Sequence, residues 1–351
     1  MSTAQSHGFL IVGCGVISET HVNAISALSN ARLVAVVDVV REKATALAER
    51  AEVVGLTDLD AALAMPGVDV VCVCVPSGLH AEIGVRAAEA GKHVVVEKPI
   101  DISLAAADRL ISVCKGRSRA LTVIAQRRFD AVFRQARALV DRKELGELIL
   151  GGAQLKWYRS QDYYESAEWR GTWKLDGGGA LMNQGVHYVD LLRWIMGPVH
   201  SISAKCATMA HTGLEVEDVV LAHIEFTSGA LASIDASTAV FPGLPERLEL
   251  TGTLGTVVIE EGVLKLLSVR GKESSFGPPG SAAGPTASSD PSMITTTGHT
   301  AQLADFLSAI DAGKEPSVTG ADGRAAIEVI LGVYESARLS QAVTLPLASH
   351  A

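Results

Sequence analysis

FLIVGCGVIS, residues Phe9 to Ser18, decides the fold of the first half of this chain. Its four leading apolar residues make a short strand with both faces buried, the form strands take in a parallel sheet covered by helices. The strand runs into Gly13-x-Gly15-x-x-Ser18, after which Ile17, His21, Ala24, Ile25 and Leu28 recur at helical spacing. Strand, glycine turn and helix in that order are the context in which such a motif binds a dinucleotide. Gly13 permits the tight turn, and Gly15 lets the backbone approach a pyrophosphate. The helix opening at Val16 and Ile17 then directs its N–H groups at the anion. Ser18 replaces a third glycine and is small enough to keep helix and strand close. A second strand, Arg32 to Val37, ends in Asp38, whose carboxylate can accept from both adenosine ribose hydroxyls and repel a 2′-phosphate. NAD is therefore favoured, with NADP a minority alternative kept open by Arg41.

The alternation continues to about Gln126. Helical stretches at Glu42–Arg50, Leu59–Met65, Gly78–Ala90 and Ser103–Lys115 separate strands at Val68–Val75, His93–Pro99 and Ala120–Ala125. The expected first domain, residues 1–126, is an α/β Rossmann domain with a parallel sheet. HVVVEKP, His93 to Pro99, places Lys98 at the carboxyl end of a strand, where open α/β sheets keep their ligands. A lone lysine there is ordinarily a surface charge. As a proton acceptor it works best with a pKa near the working pH, toward which burial or a neighbouring cation brings it.

After Gln126 the pattern changes, and residues 127–351 are expected to form an α+β substrate-binding and oligomerisation domain. Asp130–Asp141 reads as a helix, Glu147–Tyr158 as extended and Ala180–Met196 as a helix. ISAKCAT, DVVLAHIEF, ALASIDAST, ERLELTG, GTVVIEE and VLKLLSV are short extended pieces joined by turns, as in an antiparallel sheet. Residues 271–297, rich in Gly, Pro, Ser and Ala, read as a surface loop. Helices near Thr300–Ala312 and Asp322–Ser340 close the chain.

Three of the four tryptophans and three of the five tyrosines fall between Trp157 and Trp173. Aromatic faces against C–H surfaces, with arginine and amide donors to hydroxyls, suit a carbohydrate. Tyr158, Tyr163, Trp169 and Arg170 are the expected ligand contacts, with Trp157 and Trp173 packed under the loop. Asn183 and His187 are four apart, on one helical face, and can bind the same hydroxyl. Asp190 can orient His187, although a helix-surface aspartate is the plainer reading. Arg127 and Arg128 suit a carboxylate or phosphate, or a salt bridge.

Net charge of −9, with no basic run, argues against nucleic acid or an anionic membrane as partner. Five cysteines with no CxxC pair fit a reducing cytoplasm and give no metal site. MSTAQSHG does not read as a signal peptide.

GCGVIS, the Val75-Pro76-Ser77-Gly78-Leu79-His80 stretch, EKP and the glycine-led Gly177–His187 segment together resemble the glucose–fructose oxidoreductase/inositol dehydrogenase family over nearly the whole chain. The resemblance implies a second domain with a large, mostly antiparallel open sheet. It also implies that Lys98 takes or gives the hydroxyl proton while a nicotinamide exchanges the hydride. Pro76, Ser77, His80 and Glu97 fall where the family lines the nicotinamide, and His187 where its catalytic or substrate-binding histidine sits. Asn183 departs from the aspartate of many relatives and cannot relay a proton, which leaves more of that work to Lys98. The expected activity is an NAD-dependent dehydrogenase of a ring secondary alcohol in a sugar, sugar derivative or cyclitol. The alternatives are a non-catalytic NAD- or sugar-sensing protein of the same fold and a reductase of a non-sugar substrate. An open sheet face must be covered, so a homodimer or homotetramer through the second sheet is expected.

Overall fold

A computed structural model describes residues 6–277 and 296–347. Its described residues form two compact units: residues 6–126 with 296–324, and residues 127–277 with 325–347.

The first unit holds a six-stranded sheet in the order β3-β2-β1-β4-β5-β6, every neighbouring pair parallel. The strands are β1 (His7–Val12), β2 (Ala31–Val37), β3 (Val54–Leu56), β4 (Val70–Val73), β5 (His93–Val96) and β6 (Leu121–Val123). Strand order reverses beside β1, which makes the carboxyl ends of β1 and β4 the switch point at which open α/β sheets bind ligands. Of the helices, α1 (Val16–Ser26), α4 (His80–Glu89) and α5 (Leu104–Gly116) start just beyond that edge. Ser103 caps α5 by accepting from the Ala106 N–H.

The first unit also contains α9 (Thr297–Ala312), from the stretch assigned by sequence to the second domain. The reason is burial. Leu303, Phe306 and Leu307 are completely buried against Phe9, Ile11 and Ile25, and each such side chain contributes about 1.5–3 kcal/mol by leaving water. Gln302 adds hydrogen bonds to the Ala125 N–H, the Val123 carbonyl and the Thr122 hydroxyl along the edge strand β6.

The second unit is built on β7 (Leu148–Lys156), β8 (Val199–Ala207), β9 (Val219–Phe226), β10 (Leu231–Ser237), β11 (Arg247–Gly252), β12 (Gly255–Glu260), β13 (Val263–Val269), β14 (Ser275–Phe276) and β15 (Val343–Thr344), which form one sheet in the order β14-β13-β12-β11-β7-β10-β9-β8-β15. All neighbours are antiparallel except β7 (Leu148–Lys156) and β10 (Leu231–Ser237), which run parallel. On β9 (Val219–Phe226) buried and exposed positions alternate, and on β11 (Arg247–Gly252) buried and half-buried ones, so one face is core and the other more open. Helix α8 (Val186–Met196) covers the core face at β7, where a side chain on Gly151 would strike Met196 Sδ at 2.2 Å. Part of the loop expected over 271–297 is structured: Ser275–Phe276 pairs with β13 (Val263–Val269). Residues 278–295 of that expectation lie outside the described residues.

Candidate active site

β1, β4 and β5 are adjacent, and their last residues, Val12, Val73 and Val96, are partners in register. The segments that follow them, Gly13–Ser18, Cys74–His80 and Glu97–Ile100, therefore line one stretch of the carboxyl edge. Gly13 has φ +94°, and a Cβ there would lie 2.5 Å from the Cys74 carbonyl oxygen, so only glycine fits. Asp38 pins the turn from the side: one carboxylate oxygen accepts from the Cys14 N–H and the other from the Val40 N–H, each at 2.8 Å. Gly15 is exposed, with no heavy atom within 4 Å of its Cβ position, and Val16 is 72% exposed. No side chain caps α1, so its first-turn N–H groups face an open surface suited to a pyrophosphate. Ser18 is fully buried, its hydroxyl donating to the Gly15 carbonyl, which preserves the close packing a glycine would give. These residues fit a dinucleotide.

Lys98 is half-buried on backbone held from several sides. The Lys98 N–H donates to Glu97 Oε2 at 3.2 Å. Asp101 accepts from the N–H groups of Ala81, Ile102 and Ser103, tying the turn to α4. His80 is buried, with Nδ1 2.6 Å from the Pro99 carbonyl and Nε2 2.8 Å from the Val75 carbonyl. Burial lowers its pKa against the pull of both carbonyls and of Glu97 and Asp101, so the neutral ring donates to one of them. Ser77 is buried and Pro76 half-buried at the same edge.

Glu97 is placed differently from a ligand contact. Its carboxylate points into the core, where Oε1 accepts from His21 Nε2 at 2.8 Å and His299 Nε2 at 3.3 Å. All three side chains are 5% exposed or less. Burial opposes ionisation of Glu97, but the two imidazole bonds outweigh it and hold the acid well below the usual carboxylate range. The 2.8 Å separation is a hydrogen bond, tighter than the ~3.3 Å between ligands of a tetrahedral zinc with bonds of about 2.0–2.1 Å. His21 and His299 were not among the sequence candidates; they are 76 and 202 residues from Glu97, with no local signal.

In the second unit, Ala180–Gly185 forms a π-helical turn that runs directly into α8, a geometry common at functional sites. Between Ala180 and Asp190 only Asn183 and His187 are not buried, so both open on one side. Asn183 Nδ2 donates to Asp176 Oδ1 at 2.9 Å, and Asp176 Oδ2 accepts from the Gly171 N–H. Gln184 reaches Tyr163 Oη at 3.2 Å. The Arg170 guanidinium lies 4.1 Å from the centre of the Tyr163 ring and 4.7 Å from that of Trp169. Tyr163, Trp169, Arg170 and Asn183 are thereby brought together.

Tyr158 is half-buried and packs edge-to-face on Phe241, 5.1 Å between ring centres, next to its bridge with Ala239. Two expectations are corrected. Trp173 is 47% exposed against Tyr334 and is not packed under the loop. Asp190 is buried, not a surface residue: Arg128 grips both its oxygens, at 2.6 and 2.8 Å. Arg127 pairs with Glu246 and Asp130, so both arginines take the salt-bridge option.

Comparison with known proteins agrees with this architecture. Residues 7–125 match the oxidoreductase family with an NAD-binding Rossmann fold, and residues 133–258 match the GFO/IDH/MocA C-terminal domain. The chain is 29% identical over 327 residues to inositol 2-dehydrogenase of Rhizobium meliloti, covering 91% of this chain and 93% of that one. It is 27% identical over 349 residues to scyllo-inositol 2-dehydrogenase (NAD(+)) of Bacillus subtilis, covering 95% of each. The WlbA dehydrogenase from Bordetella pertussis, solved with NADH and UDP-GlcNAcA, is 30% identical with a TM-score of 0.85 over 98% of this chain and 100% of that chain.

Proposed function

The chain belongs to the GFO/IDH/MocA family of NAD-binding oxidoreductases, and from that premise we propose that it exchanges hydride between NAD and a ring secondary alcohol or ketone of a sugar, sugar derivative or cyclitol. The observation that carries this reading is the shared sheet edge: the glycine turn after β1 and Lys98 after β5 flank the segment after β4. Gly13, Gly15, Val16, Ile17 and Asp38 hold the adenosine and pyrophosphate half of the cofactor, and Pro76, Ser77 and the backbone around Lys98 adjoin the nicotinamide half. When bound, the nicotinamide supplies the two-electron acceptor or donor. Lys98 takes the hydroxyl proton in oxidation and returns it in reduction. Asn183 and His187 hold the reacting hydroxyl, with Asp176 fixing the Asn183 amide. Residues 1–126 serve as the NAD-binding domain and the second unit binds substrate.

Arg170 favours a substrate with an acidic substituent. Its guanidinium lies against two aromatic rings, and its Nε has no hydrogen-bond partner among the described residues. A panel of inositols, neutral sugars, sugar acids and nucleotide-linked sugars, followed by NADH absorbance, tests both points. Turnover is expected with at least one ring polyol and to be faster for carboxylated members than for neutral isosteres. Binding across the panel with no NADH formed would favour the sensing alternative.

The open face of the second sheet exposes Leu150, Leu221 and Leu231, each 55–56% accessible. We place a homodimer or homotetramer contact there; a monomer by light scattering at micromolar concentration would exclude it. The cysteines among the described residues are all free, which supports a cytoplasmic location. Among the described residues no helix is long and apolar enough to cross a membrane.

A further inference from the structure

A buried Asp–His pair that the proposed reaction does not use lies between β8 and β9. Asp218 directly precedes β9 and its side chain is fully buried, while that of His211 is 5% exposed. Asp218 Oδ1 accepts from the Met209 N–H at 2.7 Å, and Oδ2 accepts from the Ala210 and His211 N–H groups at 2.9 and 3.0 Å. Three consecutive peptide groups are thereby bound to the start of β9, which fixes where the His211 ring can lie.

The ring reaches the segment that carries the aromatic residues. Nδ1 is 2.9 Å from Asp218 Oδ2 and Nε2 is 2.8 Å from the Arg159 carbonyl, so the imidazole bridges the two. It also packs edge-on against Tyr164, 4.8 Å between ring centres, whose hydroxyl lies 2.7 Å from that of Thr238. Further along the same loop, Gln161 Nε2 donates to the Thr212 carbonyl at 3.0 Å and the Thr212 N–H returns a bond to Gln161 Oε1 at 3.1 Å. The Glu215 N–H donates to the Gly171 carbonyl at 3.0 Å, and Glu215 Oε2 accepts from the Trp173 N–H at 3.0 Å.

Between these ties the segment has little order of its own. Its one helix, α7 (Gln161–Glu165), is five residues long, too short to persist unaided. What it carries is a stack of guanidinium groups on rings. Arg159 lies 4.9 Å from the centre of the Trp157 ring and 5.6 Å from that of Tyr163, with Arg170 against Tyr163 and Trp169. Such contacts are individually weak, so the shape of the stack depends on where the backbone is held.

We propose that Asp218 and His211 are positioning residues for the substrate, holding through the Arg159 carbonyl and the Tyr164 ring the segment that bears Tyr163, Trp169 and Arg170. That the segment meets the substrate rests on the dehydrogenase reading; the hold on the segment does not.

Replacements of His211 separate its hydrogen bonds from its ring. His211→Phe keeps a ring against Tyr164 and loses both bonds. His211→Asn keeps a donor near the position of Nδ1 and releases the Arg159 carbonyl, whereas His211→Gln reaches that carbonyl from near the position of Nε2. Hydrogen exchange of the full chain without ligand reads the hold directly. The amides of Tyr163, Arg170 and Gly171, each hydrogen-bonded within the segment or to Asp176, are expected to exchange about tenfold faster in His211→Phe and His211→Asn than in the parent and His211→Gln. Amides of β9 should be unaffected. KM for the panel member turned over fastest should follow the same order and rise about tenfold, with kcat and the NADH dissociation constant moving by less than about twofold. Equal exchange in His211→Asn and His211→Gln overturns the proposal, and does so even if His211→Phe fails to fold. The expected exchange order with the same KM throughout would place the segment away from the substrate and overturn the positioning role. The expected exchange order with no panel member turned over would refute the dehydrogenase reading and leave the hold on the segment standing.

Discussion

Lys98→Met is expected to lower kcat by about 10²–10⁴-fold, the usual worth of a positioned acid/base, with the NADH dissociation constant moving by less than about twofold. Methionine keeps the length and apolar stem of lysine and removes only the ammonium. The backbone beneath it stays fixed, because Glu97, His80 and Asp101 hold peptide groups there. Asp38→Ala should give the converse result. It removes the acceptor of the Cys14 and Val40 N–H groups along with the proposed ribose contact. Charge-assisted bonds contribute about 1.5–3 kcal/mol each, so NADH affinity should fall by roughly ten- to a hundredfold and the preference over NADPH should narrow. NADH fluorescence titration and steady-state kinetics on the same preparations separate the two effects. Retention of more than about a tenth of turnover in Lys98→Met would move the proton-transfer role elsewhere, with His187 the first residue to replace.

The parts legible in the sequence were those with local signals. Strands apolar on both faces, a glycine turn opening a helix and Ser103 before an apolar run each fix structure within a few residues. β3 escaped because three residues, VGL, carry no period. α9 could be read as a helix but not assigned to a unit, since its place depends on Phe9, Ile11 and Ile25 some 270–300 residues away in sequence. The glycine triplet was visible, but its cause was not. It makes room for Glu217 and Tyr334, which lie about 40 and 155 positions downstream. Asp190 looks like a surface residue on a helical wheel, and only its tertiary partner Arg128 brings it inside. Local signals were thus legible in the sequence, while the contacts by which protein supports protein were hidden. Supporting contacts join distant segments through single hydrogen bonds that leave no periodicity.

The other large effect is expected at such a support. Glu97→Ala removes the shared acceptor of His21, His299 and the Lys98 N–H, leaving three donors in a site from which water is excluded. Breaking a buried hydrogen-bonded charge cluster costs about 3–5 kcal/mol, so the first unit should melt several degrees lower. Glu97→Gln preserves shape and one acceptor oxygen but turns an N–H toward one of the donors, so a smaller loss is expected. The pH dependence separates lost charge from lost volume. Glu97 is held below its ordinary value of 4.5, so its stabilisation is fully present above that value and is lost only as pH falls through the lower folded one. The gap between the parent and Glu97→Gln should accordingly close on acidification below the ordinary carboxylate range. Turnover should fall with stability even where the protein remains folded, because the Lys98 N–H hangs on the same carboxylate. His299→Gln, which keeps a donor near the position of Nε2, should recover most of what His299→Leu loses in both melting temperature and kcat. Equal losses in those two variants would mean that packing, and not the hydrogen bond to Glu97, is what α9 contributes at this end of the sheet.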